Sequence, residues 1–497
     1  MFIKTFSIHI MKKFAVLLIA ILLIPATGNG FVKLKINENE VEQYHQIYFS
    51  DIQQNDSIYI IHPRLSHPII VEKNSNFTII LSSPSFDSIE IKITTAYNPM
   101  PDCYILQPQK IWNKGAWHIV VNSGNAAYEL YNLTISLTIN GNRYLLNEPK
   151  AVAIEKIDGN FTFIHLTDLH IGDPRGAQVS IKETMGWKAA RKAIEEINLL
   201  HPSFVIITGD LVFGQLYPFE YTIEYKKLYE ILQKFDVPIF LCPGNHDGYV
   251  QCGQDGFKLW EKYFGWLNYS FDYGNAHFVM VNSYEWPYKS RMAISYAAIN
   301  WGGYVMDEQL KWIEKDLKKS NAELKILALH HNPLWDTSND SLLHNPYYNR
   351  EKLLHIIWSN GVDAVLDGHV HYDDIEKVNG TLFITTTTAA SSLSSSDAYW
   401  GYRLIDVKNW SIVSYNYKEP KFSIPSYRIN YTMEKYGAMI ENDLDMDIKA
   451  LVSFYVENRS FSVENGEIVM ERCKEENKEI YVKVNVPANS KIEIRLE

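Results

Sequence analysis

"LDGHVHYDD", residues Leu366 to Asp374, closes the apolar run "VDAVL". Two histidines at alternate positions stand behind a glycine, where a buried strand should stop. In α/β proteins ligands sit outside the carboxyl ends of strands, and a strand buried on both faces has no packing reason to end in Asp or His. The same ending recurs upstream. "FIHLTDLH" delivers Asp168 and His170, "VIITGD" delivers Asp210, and "IFLCPGNHD" delivers Asn245, His246 and Asp247. "ILALHH" delivers His330 and His331, and the quoted stretch itself delivers His369 and His371.

Between these tips the chain reads as helix. "TMGWKAARKAIEEINLL" places Trp187, Ala190, Ile194 and Ile197 on one face, a period of 3.6. "EYTIEYKKLYEILQKF", "MDEQLKWIEKDLKK" and "REKLLHIIWSN" follow the same rule, with His355 expected to pack within the last of them. Alternating strands and helices predict an α/β central domain with a largely parallel sheet covered by helices. From about Phe31 to Glu155 apolar and polar residues alternate between Asn-Gly and Ser-Gly turns, as in "YELYNLTISLTINGNRYLL". That pattern predicts a β-sandwich of immunoglobulin or fibronectin type, in which "YELYNLTI" supplies a plain core tyrosine or a tyrosine corner. Past Glu419, "KALVSFYVE", "EIYVKVNVP" and "KIEIRLE" predict a C-terminal β-rich module. The expected organisation is a signal peptide over 1–28, a β-sandwich over 29–157, the α/β domain over 158–419 and the β module over 420–497.

Composition narrows the function. The 497 residues carry 58 Asp plus Glu against 47 Lys plus Arg, a formal charge of -11. Such a balance argues against binding nucleic-acid duplexes or anionic lipid. A phosphorylated substrate is still compatible, because a local cation can reverse the field within one cleft. The N-terminal "MKKFAVLLIAILLIPATGNG" has two lysines, an apolar stretch Phe14–Ile24 and then small residues. This is the order of a secretory signal, too short to span a bilayer comfortably, so no membrane span is expected after cleavage. Sequons at Asn76, Asn132, Asn160, Asn268 and Asn430 agree with a secreted or extracytoplasmic location, including attachment at the cell surface. Outside the cell disulfides can form: Cys242 and Cys252 either bridge and tie the loop bearing Asn245 and His246 or stay reduced with one thiol buried in the strand, and a Cys103–Cys473 pair can link the chain ends, although spacing does not fix connectivity.

The residue types at the strand tips suit one task. Carboxylate, imidazole and amide donors bind first-row divalent metals and Zn²⁺. Asp-x-His and His-x-His put both side chains on one side of an extended backbone, and Gly209, Gly244 and Gly368 allow sharp turns there. Asp168, His170, Asp210, Asn245, His330, His369 and His371 exceed the needs of a single tetrahedral ion; they suit a metal pair with positions left open for water and substrate.

The ordered set Asp-x-His, Gly-Asp, Gly-Asn-His-Asp, His and Gly-His-x-His resembles the calcineurin-like metallophosphoesterases over the central domain. The resemblance implies a layered β-sandwich flanked by helices and two divalent or mixed-valence ions, with Mn, Fe, Zn and Ni as candidates. It implies hydrolysis of phosphate mono- or diesters by metal-activated hydroxide, the substrate being a small phosphoester or a phosphorylated headgroup. Carried over by position, Asp168, His170, Asp210 and His371 would hold the first ion. Asp210, Asn245, His330 and His369 would hold the second, with Asp210 bridging. His246 would stand beside the pair as acid or charge stabiliser. "LHHNPLW" offers two histidines: relatives that read His-His-Pro-Pro select His330, whereas a His-x-Pro spacing selects His331.

The chain also departs from its relatives. Three residues past Asp210, purple acid phosphatases place a metal-binding tyrosine and protein phosphatases an aspartate that supports the catalytic histidine. Here the residue is Phe213. Its side chain has no oxygen to ligate or to orient His246, so the purple and protein-phosphatase subgroups are not expected. His246 then needs another partner, and Asp247 points elsewhere if the segment is extended. Arg175 can reach a phosphate or be a solvated loop charge. The aromatic stretch Tyr284 to Tyr304 can wall a cleft or plug a core. His201 and His344 read as surface or core residues. The reading from a different class is a non-catalytic cell-surface adhesion protein with a structural metal.

Overall fold

Alternating strands build the first layer. In the computed structural model, which describes residues 49, 51–52, 56–96, 102–173, 186–216, 218–294, 297–335, 347–393, 399–474 and 476–497, two sheets precede the central domain. One contains Tyr59–His62, Asn76–Ser82, Trp117–Asn122 and Pro108–Asn113; the other contains Ile69–Val71, Asn142–Ile154, Glu129–Ile139, Ser88–Thr95 and Cys103–Leu106. Ile79, Leu81, Ile119 and Val121 of the first share a core with Ile91, Ile93, Leu133 and Ile135 of the second. Asn140 and Gly141, with φ of 50° and 77°, join Glu129–Ile139 to Asn142–Ile154, the tight Asn-Gly hairpin expected from "TINGNRYLL". Tyr131 is buried and donates its hydroxyl to the Ala127 carbonyl at 2.8 Å, as a tyrosine corner does. Residues 1–28, Arg175, His344 and the side chain of Trp187 lie outside the described residues.

In the central domain β1 (Phe161–Leu166), β2 (Phe204–Thr208) and β3 (Ile239–Cys242) run parallel, and α1 (Gly186–Leu200) and α2 (Glu220–Leu232) connect them. Strand–helix alternation alone predicts a single sheet. The structure has two, because after α3 (Gly256–Phe264) the hairpin of β4 (Tyr269–Tyr273) and β5 (Ala276–Met280) starts a second sheet. That sheet continues in parallel through β6 (Leu324–Ala328), β7 (Ala364–Asp367) and β9 (Thr381–Thr385), with β8 (Asp374–Val378) antiparallel at its edge. The chain then returns to the first sheet as β10 (Gly401–Lys408), antiparallel to β1. Inner faces meet through Phe163, Phe204 and Phe240 on one side and Phe278, Met280 and Ile326 on the other. Outside, α1, α2 and α3 cover the first sheet, with Ala190, Ile194 and Ile197 buried as expected, while α4 (Asp307–Lys319) and α5 (Arg350–Ser359) cover the second. The fold is thus a layered β-sandwich flanked by helices, with β-rich regions on either side in sequence. His355 is exposed on α5 rather than packed, since Leu353, Leu354 and Ile357 occupy the buried face.

The segment after Glu419 first rejoins the central sheet, where Ile424–Pro425 pairs with β10. Seven further strands, from Ile429–Met433 to Ser490–Leu496, form two more sheets. They dock on α1: Glu196 accepts the Tyr427 amide at 2.8 Å, just before the first of these strands, and Lys192 donates to the Ile429 carbonyl at 2.7 Å.

Of the two alternatives at the cysteines, the structure has the reduced thiols. All four cysteines are free. Cys242 ends β3 in the apolar core between the sheets, whereas Cys252 is exposed in a turn, so the loop closes without a bridge. Asp102 and Arg472 face one another at 3.8 Å, and strand alternation turns their neighbours Cys103 and Cys473 the other way. The sequons also differ in access. Asn76, Asn160 and Asn430 are exposed, but Asn132 is 5% exposed and its amide oxygen accepts the Lys150 amide at 2.9 Å.

Asp373, near the end of the quoted stretch, is structural. Asp373 pairs with the fully buried Arg403 at 2.6 Å and also accepts from the Tyr399 hydroxyl at 2.5 Å and the Ser423 amide at 3.1 Å. This network ties the loop carrying His369 and His371 to β10. Removing one member of a buried pair strands the other charge at a cost of about 3–5 kcal/mol. An Arg403→Met chain is therefore expected to unfold at clearly lower urea; a change within about 0.5 kcal/mol, as for a surface site, would contradict this account of the loop.

Candidate metal centre

The five strand tips converge. Asp210 Oδ2 lies 3.4 Å from His170 Nε2 and 3.1 Å from His330 Nε2. Asp168 Oδ1 lies 3.4 Å from His170 Nε2 and 3.2 Å from His371 Nε2. His369 Nδ1 is 3.2 Å from His330 Nε2. Donor atoms close enough to share an ion group as Asp168, His170 and His371; as Asp168, Asp210 and His330; as His170, Asp210 and His246; and as His330, His331 and His369. Asp210 stands between the first histidine set and the second, where a bridging ligand belongs.

Main-chain carbonyls set the histidine tautomers. His330 Nδ1 donates to the Thr208 carbonyl at 2.7 Å, and His371 Nδ1 to that of Ser392 at 2.6 Å. Each ring thereby turns the lone pair of Nε2 towards the carboxylates, the outer-partner arrangement usual for metal-binding imidazoles. His331 is different. Its Nε2 donates to the Trp301 carbonyl at 2.8 Å and its Nδ1 accepts from the Ser283 hydroxyl at 2.8 Å. Although its ring falls within reach of His330 and His369, both nitrogens are committed, so His330 is the available donor. A His331→Gln chain is expected to keep its full metal content and a His330→Ala chain to lose ions; the reverse pattern in metal analysis would exchange the two roles.

Asn245 supplies the test of fit. It is 1% exposed, its amide nitrogen donates to the Tyr249 hydroxyl at 2.7 Å, and its Oδ1 has no hydrogen-bond partner. A buried acceptor left unpaired costs about 1–3 kcal/mol, and a cation at the neighbouring carboxylate and imidazoles would satisfy it. Electrostatics point the same way. Burial alone would lower His170, but its hydrogen bonds to Asp168 and Asp210 outweigh burial and hold it at about 10. Burial would likewise lower His330, yet Asp210 and Asp168 raise it to about 9. The buried carboxylates demand positive charge, and the imidazoles supply it as a metal pair would. His369, pushed down to about 3 by burial and then by His330, is a neutral ring, the form that binds a metal.

Convergence comes from left-handed backbone, not from strand alternation. Asp168, His170, Asp210, His369 and His371 have φ of 55°, 43°, 52°, 73° and 60°. Non-glycine residues rarely sit there, and such outliers cluster at functional sites. The glycines act otherwise than expected. Only Gly209 has positive φ, +83°; Gly244 has φ -104° and is needed for space, since a Cβ there would stand 2.2 Å from Asp210 Oδ1.

His246 finds its partner at Phe213 after all, through the main chain. Its Nδ1 donates to the Phe213 carbonyl at 2.6 Å while the two rings stack at 5.3 Å. The sequence signal considered only the side chain of Phe213. Burial lowers the His246 pKa to about 4. Asp247 is not in an extended segment: Asn245–Gly248 is a helical turn, and Asp247 accepts the Gly244, Leu211 and Val212 amides at 2.8, 2.9 and 3.1 Å. Residues from α2 pin the same turn, Tyr221 donating to the His246 carbonyl at 2.5 Å and Tyr225 to that of Asp247 at 2.8 Å. Sequence reading missed these tyrosines, whose helical spacing marks them only as core. The stretch from Tyr284 backs the site: Tyr284 is buried, packs edge-on to Tyr249 at 5.8 Å and lies against His331 at 6.1 Å.

Comparison with known proteins places this geometry. The family model "Calcineurin-like phosphoesterase" matches residues 161–373, the span that holds all the clustered donors. A "Probable glycerophosphodiester phosphodiesterase" of Arcobacter nitrofigilis is 30% identical over 210 residues, 41% of this chain and 69% of that one. A "Probable cyclic nucleotide phosphodiesterase" of Vesicomyosocius okutanii is 26% identical over 220 residues, 43% of this chain and 79% of that one. Purple acid phosphatase 15 of Arabidopsis thaliana is 28% identical over 147 residues, which cover 27% of this chain and 24% of that one. On these matches, and on donors that meet where the five strands end, the chain belongs to the calcineurin-like phosphoesterase family and is a phosphoric ester hydrolase.

Proposed function

We propose that this chain is an exported phosphodiesterase that works with two metal ions. One observation carries the metal part: Asp210 Oδ2 stands within 3.4 Å of imidazole nitrogens from both histidine sets. Asp168, His170, His371 and Asp210 would hold one ion, and Asp210, Asn245, His330 and His369 the other. The bound pair supplies an activated water nucleophile and neutralises phosphoryl charge. Preference for diesters is supported by the two phosphodiesterase relatives, matched over most of their length, against a purple acid phosphatase matched over 24% of its length. Phe213, where the purple subgroup has tyrosine, supports it too.

The chain's own part in the reaction falls to His246. With Nδ1–H held by the Phe213 carbonyl and the pKa near 4, the ring is neutral at pH 7 and its bare Nε2 is the nitrogen left to act. A phosphoester anion placed there opposes the burial effect and favours a second proton on the ring. Nε2–H then bonds a phosphoryl oxygen or passes its proton to the leaving alkoxide. A structural metal in an adhesion protein would have no use for that histidine. Export is supported by the signal-like N-terminus and by exposed sequons at Asn76, Asn160 and Asn430.

The test is hydrolysis of a chromogenic phosphodiester and the matching monoester after loading with Mn²⁺, Zn²⁺, Fe²⁺ or Ni²⁺. The diester is expected to turn over faster with at least one metal. Faster monoester cleavage with every metal would overturn the diester preference, and inactivity of folded protein on both would overturn the catalytic reading.

A further inference from the structure

We infer that Tyr249 is a positioning residue: by accepting from Nδ2, its phenol favours the Asn245 amide orientation that turns oxygen to the second ion. This rests on the reading of Asn245 as a metal ligand. An amide is asymmetric. Turned by half a revolution it offers N–H donors, which cannot bind a cation. Aspartate has no such problem, because its two oxygens are alike. An asparagine ligand therefore needs a neighbour that fixes its plane. Tyr249 accepts the Asn245 Nδ2 hydrogen bond at 2.7 Å, and the opposite atom, Oδ1, is the one left without a partner. The phenol is itself immobile. Tyr249 is 1% exposed, and its ring is locked edge-on against His246 at 4.9 Å and Tyr284 at 5.8 Å. Tyr249 also follows directly on the Asn245–Gly248 turn, so ligand and support share one rigid segment. The aromatic stretch that begins at Tyr284 thus acts on the metal site through Tyr249.

The test uses the full chain, stripped of metal and titrated with Mn²⁺, with the number of ions and their affinities read by calorimetry and elemental analysis. In Tyr249→Phe the first ion should bind as in the unaltered chain, while the second should weaken roughly 10–100-fold, the range for lost outer-shell partners. The same change is then made in an Asn245→Asp chain. There a carboxylate keeps an acceptor towards the site without help, and adding Tyr249→Phe should weaken the second ion by less than about threefold. Equal losses in both backgrounds, equal weakening of both ions, or no loss in Tyr249→Phe would each overturn the inference. Failure of the unaltered chain to take up two ions would instead overturn the metal reading on which it rests.

Discussion

An Asp210→Asn chain is expected to lose metal and phosphoester hydrolysis together. The carboxylate faces His170 and His330 with one oxygen, while the other accepts the His246 amide at 2.8 Å. Asparagine preserves the shape and can still accept that amide bond. It removes the negative charge that holds His170 and His330 above their ordinary range and replaces one shared oxygen by a group that cannot bridge. Both ions lose a ligand at once, so affinity should fall well beyond the roughly 10–100-fold that losing an outer partner costs. Binding is measured by elemental analysis after dialysis, activity with the chromogenic diester, and folding by circular dichroism. A folded Asp210→Asn chain that keeps two ions would show that another group joins them.

The second large effect separates catalysis from ligation. His246→Ala should retain both ions and lose roughly 10²–10⁴-fold in turnover, the usual weight of a positioned acid or base. The discrimination matters because His246 falls within the same donor group as His170 and Asp210, so proximity alone could make it a ligand. Its Nδ1 is committed to the Phe213 carbonyl, and in the proposed arrangement Asp168, His170, His371 and Asp210 would already fill the first ion's ligand set. A His246→Ala chain that loses one ion would make it a ligand; one that keeps both ions and full turnover would remove it from the mechanism.

The site was legible in sequence because its chemistry is carried by side chains whose types are improbable at the ends of buried strands. Asp168, His170, Asp210, His330, His369 and His371 fall into shared donor groups, Asn245 brings a buried unpaired oxygen, and the Nδ1 bond of His330 to Thr208 leaves its Nε2 free to face them. What escaped notice is what side-chain letters do not encode. Any residue offers a carbonyl, so Phe213 gave no sign of holding His246. Left-handed backbone at Asp168 or His369 is not announced as a glycine would announce it. Tyr221 and Tyr225 read as core residues because they are core residues, and only the fold shows where their hydroxyls point. The two-sheet arrangement came from the family resemblance and not from strand–helix alternation: nothing local in "NYSFDYGNAHFVM" says that its strands leave the first sheet. The cysteines left two readings open because spacing reports proximity along the chain and not that Cys242 is sealed between two sheets.

The most direct measurement is anomalous diffraction from crystals of the chain reconstituted with Mn²⁺, combined with metal content per chain. Two ions are expected about 3.5–4 Å apart, one against Asp168, His170 and His371, the other against Asn245, His330 and His369, with Asp210 touching both. A single ion, ions bound elsewhere, or a cluster that stays metal-free at saturating Mn²⁺ would contradict the account.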